Sequence, residues 1–184
     1  MKKIWLMILC LALLMPMGVQ AQQTPSAVAE EEDHWEIGLL KQLELLDVAD
    51  PNAAVTKQSM VSGLNRVFRN TATSIDVYFE GQDLSGALLY SQAVMVLLDV
   101  MGYAPYVEML GYPTNEAKGY LAAAKRIDLI SNANVSDAQT ISVAEYAKLL
   151  YRALTEISLM RPQSYGRDEV QYRIDKGVTM LSEY

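Results

Sequence analysis

The feature that most constrains the fold of this chain is a short pattern that occurs twice. Residues 41–46 (KQLELL) match residues 125–130 (KRIDLI) nearly position by position in chemical type. Each copy is followed by a polar loop, a β-branched residue and a hydroxyl residue suited to cap a helix, at residues 55–56 and 141–142. Because self-similarity of this kind marks repeated structural units, the sequence predicts a repeat-built fold.

The apolar spacing places helices within this frame. A short amphipathic stripe covers residues 37–46, and longer helices are predicted over about residues 56–68, 90–101, 116–130 and 142–159. Residues 142–145 (SVAE) form a capping box, which marks the start of the last helix. Positions along the two long helices also agree, with Met60, Leu64, Arg66 and Phe68 matching Tyr146, Leu150, Arg152 and Leu154.

A third, incomplete copy lies between these two. Leu88, Ala93, Leu97 and Met101 occupy the same apolar places, although leucines replace the β-branched and capping residues. Residues 70–87 are too short and too polar for a full first helix, so this copy is predicted to be truncated. Since one such unit cannot bury its apolar face alone, we expect an all-α, pseudo-threefold bundle of helix-loop-helix units.

The first residues indicate export. Lys2 and Lys3 precede an apolar run over residues 4–15, and residues 19–21 (VQA) supply the small residues of a cleavage site, so residues 1–21 are predicted to be a signal peptide. The apolar run is shorter than the roughly 20 residues of a membrane span, so none is expected after cleavage. Cys10, the only cysteine, leaves with the signal, so the secreted protein is predicted to have no disulfide.

The remaining chain divides into three parts. Residues 22–33 are a polar, acidic linker, residues 34–160 are the helical module, and residues 161–184 are a C-terminal connector. The repeats cover about residues 34–69, 74–103 and 115–159. The net charge of the whole chain is −7, which argues against a nucleic-acid partner, because such binding depends on neutralising phosphates.

Catalytic chemistry is not predicted. His34 is the only histidine, and without a cysteine in the mature chain no zinc or Cys–His site can be assembled. Asp47, Asp50 and Asn52 lack the spacing of a calcium loop. No phosphate-binding glycine loop is present either. We therefore expect a non-enzymatic protein without cofactor or metal.

Three segments resemble S-layer homology modules, of the divergent type found in secreted proteins of Gram-positive anaerobes. Residues 33–35 (DHW) resemble the opening of that repeat. Residues 88–103 (LLYSQAVMVLLDVMGY) with residues 106–113 resemble its middle copy. Residues 119–154 resemble a complete third copy, in which residues 141–145 (ISVAE) stand where the family has ITRAE. The likeness covers about residues 33–158.

This resemblance implies a cell-wall module that binds anionic secondary polysaccharide in grooves between its units. In the family an aromatic residue of the short helix and an arginine after the cap line each groove, where a guanidinium pairs with a carboxylate at a helix N-terminus. The aromatic positions here are Trp35 and Tyr120, and the arginine positions are Lys57, Tyr90 and Val143. Only Lys57 keeps a positive charge.

The resemblance therefore predicts at most one intact groove, formed by Trp35, Thr56 and Lys57, with Tyr120 as a further candidate in the third copy. The alternative is that Trp35 belongs to the core and Lys57 is solvated. Two functions follow. The first is wall anchoring through an anionic polysaccharide. The second is a degenerate module that contacts other proteins at the cell surface.

Overall fold

The computed structural model describes residues 34–68, 74–131, 135–136 and 138–157. The predicted signal peptide (1–21), linker (22–33) and connector (161–184) lie outside these residues. So do the last residues of the predicted first and third repeats.

The regular structure of the described residues is helical. In chain order it consists of α1 (Trp35–Gln42), α2 (Lys57–Val67), a 3₁₀ helix (Ile75–Phe79), α3 (Tyr90–Val100), α4 (Ala104–Met109), α5 (Ala117–Arg126) and α6 (Val143–Thr155). The prediction of an all-α fold is confirmed. The bundle of repeated units stays a prediction. The short helix α4 was not predicted from the sequence.

The predicted capping residues begin α2 and α6. Thr56 Oγ1 accepts a hydrogen bond from the N–H of Ser59 at 3.1 Å. Ser142 Oγ accepts from the N–H of Glu145 at 3.2 Å, and the Glu145 carboxylate accepts in return from the N–H of Ser142 at 2.9 Å. These bonds satisfy N–H groups that have no partner inside the helix. The two helix starts therefore form as the sequence predicts.

The ends of α1 and α5 share a turn that the sequence did not reveal. Glu44 and Asp128 follow the C-caps of α1 and α5 with φ angles of 56° and 58°. The next N–H groups bond back to Leu40 O at 2.8 Å and Ala124 O at 2.9 Å, as in a Schellman motif. The helix predicted over 116–130 therefore ends at Arg126, because a left-handed residue reverses the chain there.

Three buried segments, one before each long helix, close into a ring of backbone hydrogen bonds. The N–H of Val55 donates to Ile141 O at 3.1 Å, that of Ile141 donates to Leu88 O at 3.0 Å, and that of Leu88 donates to Val55 O at 2.7 Å. All three side chains are buried. Each segment thus contacts both of the others.

A second set of bonds joins the same three segments in the opposite cyclic direction at the helix starts. The first residues of α2, α3 and α6 donate their N–H groups to Gly86 O at 3.1 Å, Gln139 O at 2.8 Å and Ala53 O at 2.8 Å, respectively. Such N–H groups have no acceptor within their own helix. Backbone atoms of a neighbouring segment therefore satisfy the start of each long helix.

The helices pack around this ring to form the core. α3 packs against α5 and α6, α1 packs against α6, and the 3₁₀ helix packs against α2. The predicted inward residues of α2 and the residue after it are buried, namely Met60, Val61, Leu64, Val67 and Phe68. The 3₁₀ helix lies in the middle segment, where no full first helix was expected.

We expect the amide protons of Val55, Leu88 and Ile141 to be among the slowest of the protein to exchange with solvent. Each is buried and bonded to another segment, so its exposure requires global unfolding. Native-state hydrogen exchange measures this. The amide of Ala138, in an exposed loop bond, is the fast-exchanging control. Rapid exchange at any one of the three ring amides, with α6 still protected, would contradict a closed ring.

Candidate functional site

Trp35 is one side of the predicted groove, and it lies at the start of α1. Its side chain is 49% exposed. The indole ring meets the ring of Tyr151 edge to face, with centroids 4.9 Å apart. Since Tyr151 belongs to α6, Trp35 is a surface aromatic residue held against that helix.

Thr56 and Lys57 lie at the start of α2. The Thr56 hydroxyl is occupied as the helix cap. The partly buried Lys57 lies beside the turn from Asp83 to Gly86 and donates its N–H to Gly86 O. Hydrogen bonds from Ser85 lower the pKa of Asp83, and the Lys57 charge contributes to the same shift. Trp35 and Lys57 thus have different partners, and no hydrogen bond or ring contact joins them among the described residues.

Tyr120 has no surface for a ligand. It lies in α5 with 0% exposure, and its hydroxyl donates to Asp99 Oδ1 at 2.5 Å. Burial and this hydrogen bond raise the pKa of Tyr120. Tyr78 donates to the same carboxylate from the 3₁₀ helix. Tyr120 is therefore a core residue, which corrects its assignment to a groove.

The structure contains a pocket in another place, between the start of α3, the turn after α5 and one side of α6. It encloses about 190 Å³. Its lining combines an apolar part and a charged part, formed by Tyr90, Leu129, Ile130, Ser131, Glu145, Lys148, Leu149 and Arg152. Tyr90 belongs to the predicted middle repeat and the others to the third, so the pocket lies at the junction of two copies.

The charged part of the pocket contains two cations and one carboxylate. Burial raises the pKa of Tyr90, the nearby Glu145 carboxylate raises it further, and the Arg152 charge lowers it. The Tyr90 hydroxyl thus lies within the electrostatic reach of both groups. Lys148 adds a second positive charge from the next turn of α6. The pocket thus brings charges of both signs together against its apolar part.

Two of these side chains are fixed by the protein itself. Glu145 is held by its capping bonds with Ser142. The Arg152 guanidinium donates to Leu129 O at 3.0 Å, to Asp128 O, and through Nε to Glu156 at 2.8 Å. Side chains held in one geometry lose little conformational entropy when a ligand binds. The arrangement suits a small polar or anionic group lying against an apolar wall.

Of the residues that line this pocket, the resemblance pointed only to Tyr90. It did not point to the cations Lys148 and Arg152. Tyr90 occupies one of the three arginine positions. Arg152 was recognised as the counterpart of Arg66, but only as part of the repeat. The sequence did contain a signal for these cations. Glu145, Lys148 and Arg152 are spaced three and then four residues apart, so they lie on one face of α6.

Other site types are not found in the part of the chain that the structure describes. In residues 34–68, 74–131, 135–136 and 138–157, no group of three or more His, Cys, Asp or Glu side chains could hold a metal ion. Across the same residues, no helix has the length and apolar character needed to cross a bilayer. No protein-family model matches this chain, and neither the curated proteins nor the solved structures give a match.

Proposed function

We propose that residues 34–160 form a non-catalytic module that holds the protein at the cell wall by binding an anionic polysaccharide. The pocket at the junction of α3 and α6 is the binding site in this proposal. The observation that carries it is the pocket lining, which places Lys148 and Arg152 beside an apolar wall within a chain of net charge −7.

The resemblance to S-layer homology modules supports the proposal together with the backbone ring. In a three-unit module each unit must contact both others, and the segments around Val55, Leu88 and Ile141 have this cyclic order of hydrogen bonds. The pocket lies where two units meet, which is where the family's grooves are expected. Tyr90, at one of the arginine positions, is part of its lining.

The chemistry of the pocket fits an acidic sugar. Leu129 and Leu149 offer an apolar wall to the face of a sugar ring. Lys148 and Arg152 supply the positive charge that a carboxylate substituent requires, and bonds to such charged groups are the strong ones. The Glu145 carboxylate can accept hydrogen bonds from sugar hydroxyls. One sugar residue with one negative charge is the matching ligand class.

We expect Lys148→Ala to weaken binding to purified cell wall by about tenfold or more, since a hydrogen bond to a charged group is lost. The measurement is co-sedimentation with wall before and after chemical removal of the secondary polysaccharide. Lys57→Ala is the matched control, because Lys57 lies beside the Asp83 turn and outside the pocket lining. It should bind as the unchanged protein does.

Two results would remove this proposal. Equal sedimentation with intact and stripped wall would exclude the polysaccharide as ligand. A loss of binding in Lys57→Ala, without one in Lys148→Ala, would show that the polysaccharide binds at the groove predicted from the sequence, around Trp35, Thr56 and Lys57.

A second candidate function is an interaction module for other proteins of the cell surface. The exposed Trp35, held edge to face against Tyr151, favours it, because exposed aromatic side chains are typical of binding hot spots. Crosslinking on intact cells distinguishes the two functions. Recovery of glycan alone would exclude the protein partner, whereas loss of a protein adduct in Trp35→Ala would support it.

A further inference from the structure

The turn after the short helix packs differently in the first and third copies. In the repeat frame Leu45 corresponds to Leu129, Gly63 to Leu149, and Arg66 to Arg152. In each copy the turn after the short helix faces the long helix of that copy. The pocket lies on this face in the third copy, so the two copies can be compared position by position.

In the first copy the turn lies directly on the helix. A Cβ atom placed on Gly63 would be only 2.3 Å from the carbonyl oxygen of Leu45. Side chains do not tolerate such an approach to backbone, so only glycine allows the turn to lie this close to α2. Arg66 contacts the same turn through the Glu44 carboxylate and not through carbonyl oxygens.

In the third copy Leu149 stands in place of that glycine. Its Cβ excludes the Leu129 carbonyl from the position that the Leu45 carbonyl takes over Gly63. Arg152 spans the resulting gap from the same helix, donating to Leu129 O at 3.0 Å and to Asp128 O. The pocket is lined by the residues on both sides of this gap.

We propose that Leu149 acts as the spacer that keeps the pocket open and that Arg152 fixes the turn at residues 128–131 at that separation. Both are positioning residues for whatever the pocket binds. The leucine in place of glycine separates the turn from the long helix in the third copy. The spacer role is a matter of packing and stands on its own, whereas its consequence for binding rests on the proposed function.

The sharpest test compares Leu149→Gly with Leu149→Ala, which differ by one Cβ atom. In crystal structures of the two variants, Leu149→Gly should let the turn move onto α6, with loss of the Arg152–Leu129 O bond. Leu149→Ala keeps the Cβ and should keep both the separation and the bond. Both variants shorten the apolar wall, so wall sedimentation should fall in both, and it should fall about tenfold further in the glycine variant, the loss expected for one charged contact.

The outcomes separate the two proposals. A turn that stays in place in Leu149→Gly would overturn the spacer role. A turn that closes while wall binding persists would keep the spacer role and refute this pocket as the wall site.

If Leu149→Gly does not fold, Arg152→Lys provides the second test. Lysine keeps the charge but cannot bond two carbonyls with the geometry of a guanidinium. Faster amide exchange at Asp128 and Leu129, whose N–H groups bond to Lys125 O and Ala124 O in this turn, is the expected result, with α6 unchanged. Unchanged exchange at both would overturn the role of Arg152.

Discussion

Gly63→Ala is expected to lower the free energy of unfolding by about 2–3 kcal/mol, the usual cost of overpacking, in spite of alanine's better helix propensity. The added Cβ would lie 2.3 Å from Leu45 O and 3.2 Å from its carbonyl carbon, and both are backbone atoms. Backbone cannot rotate away as a flexible side chain does, so α2 and the turn must separate. Urea denaturation with unchanged m-value measures the loss.

Gly38→Ala is the matched control. Gly38 is an exposed residue of α1, and a Cβ there meets nothing within 4 Å. We expect it to gain about 0.5–1 kcal/mol from helix propensity. Equal effects of the two alanines would show that the turn does not pack on α2 as described.

Stability is expected to fall steeply above pH 10.0, the ordinary pKa of tyrosine. Burial raises the pKa of Tyr120 and Tyr146 in the folded protein, so folding favours their neutral hydroxyls. The stabilisation is complete below the unfolded pKa and is lost as the pH rises toward the folded pKa. Each tyrosine contributes up to about 1.4 kcal/mol per pH unit in this range. Urea unfolding at stepped alkaline pH measures the slope.

Two phenylalanine variants test whether these buried tyrosines cause the loss of stability at alkaline pH. Tyr146 is fully buried, and its hydroxyl has no hydrogen-bond partner among the described residues. Tyr146→Phe should reduce the alkaline slope and stabilise the protein by about 1 kcal/mol at neutral pH. Tyr120→Phe should reduce the slope as well but destabilise at neutral pH, because Asp99 loses a donor. An alkaline slope that neither variant changes would contradict this account.

The sequence predicted the parts of the fold that local chemistry encodes. Thr56 and Ser142 cap helices because their hydroxyls accept from N–H groups three residues later, and that preference is visible in the residue type. Glu44 and Asp128 end helices in the left-handed region, which is usually the role of glycine or asparagine. Their residue types gave no signal, so the predicted helix over 116–130 ran too far.

The site was harder to predict because it depends on packing between segments. In the middle copy Asp99 occupies the position of Arg66 and Arg152. Its carboxylate accepts a hydrogen bond from the Tyr120 hydroxyl, which places Tyr120 in the core. The pocket depends on a turn held away from α6. Neither effect can be derived from motif positions alone, so the resemblance pointed to Trp35, Thr56 and Lys57 and not to the residues that line this pocket.

The most direct test of wall binding through this pocket is an NMR titration of the full chain with isolated secondary cell-wall polysaccharide. The account predicts amide shift changes centred on Tyr90, Ser131 and Lys148, which saturate with ligand. Spectra that do not change, or changes confined to the surroundings of Trp35 and Lys57, would contradict it.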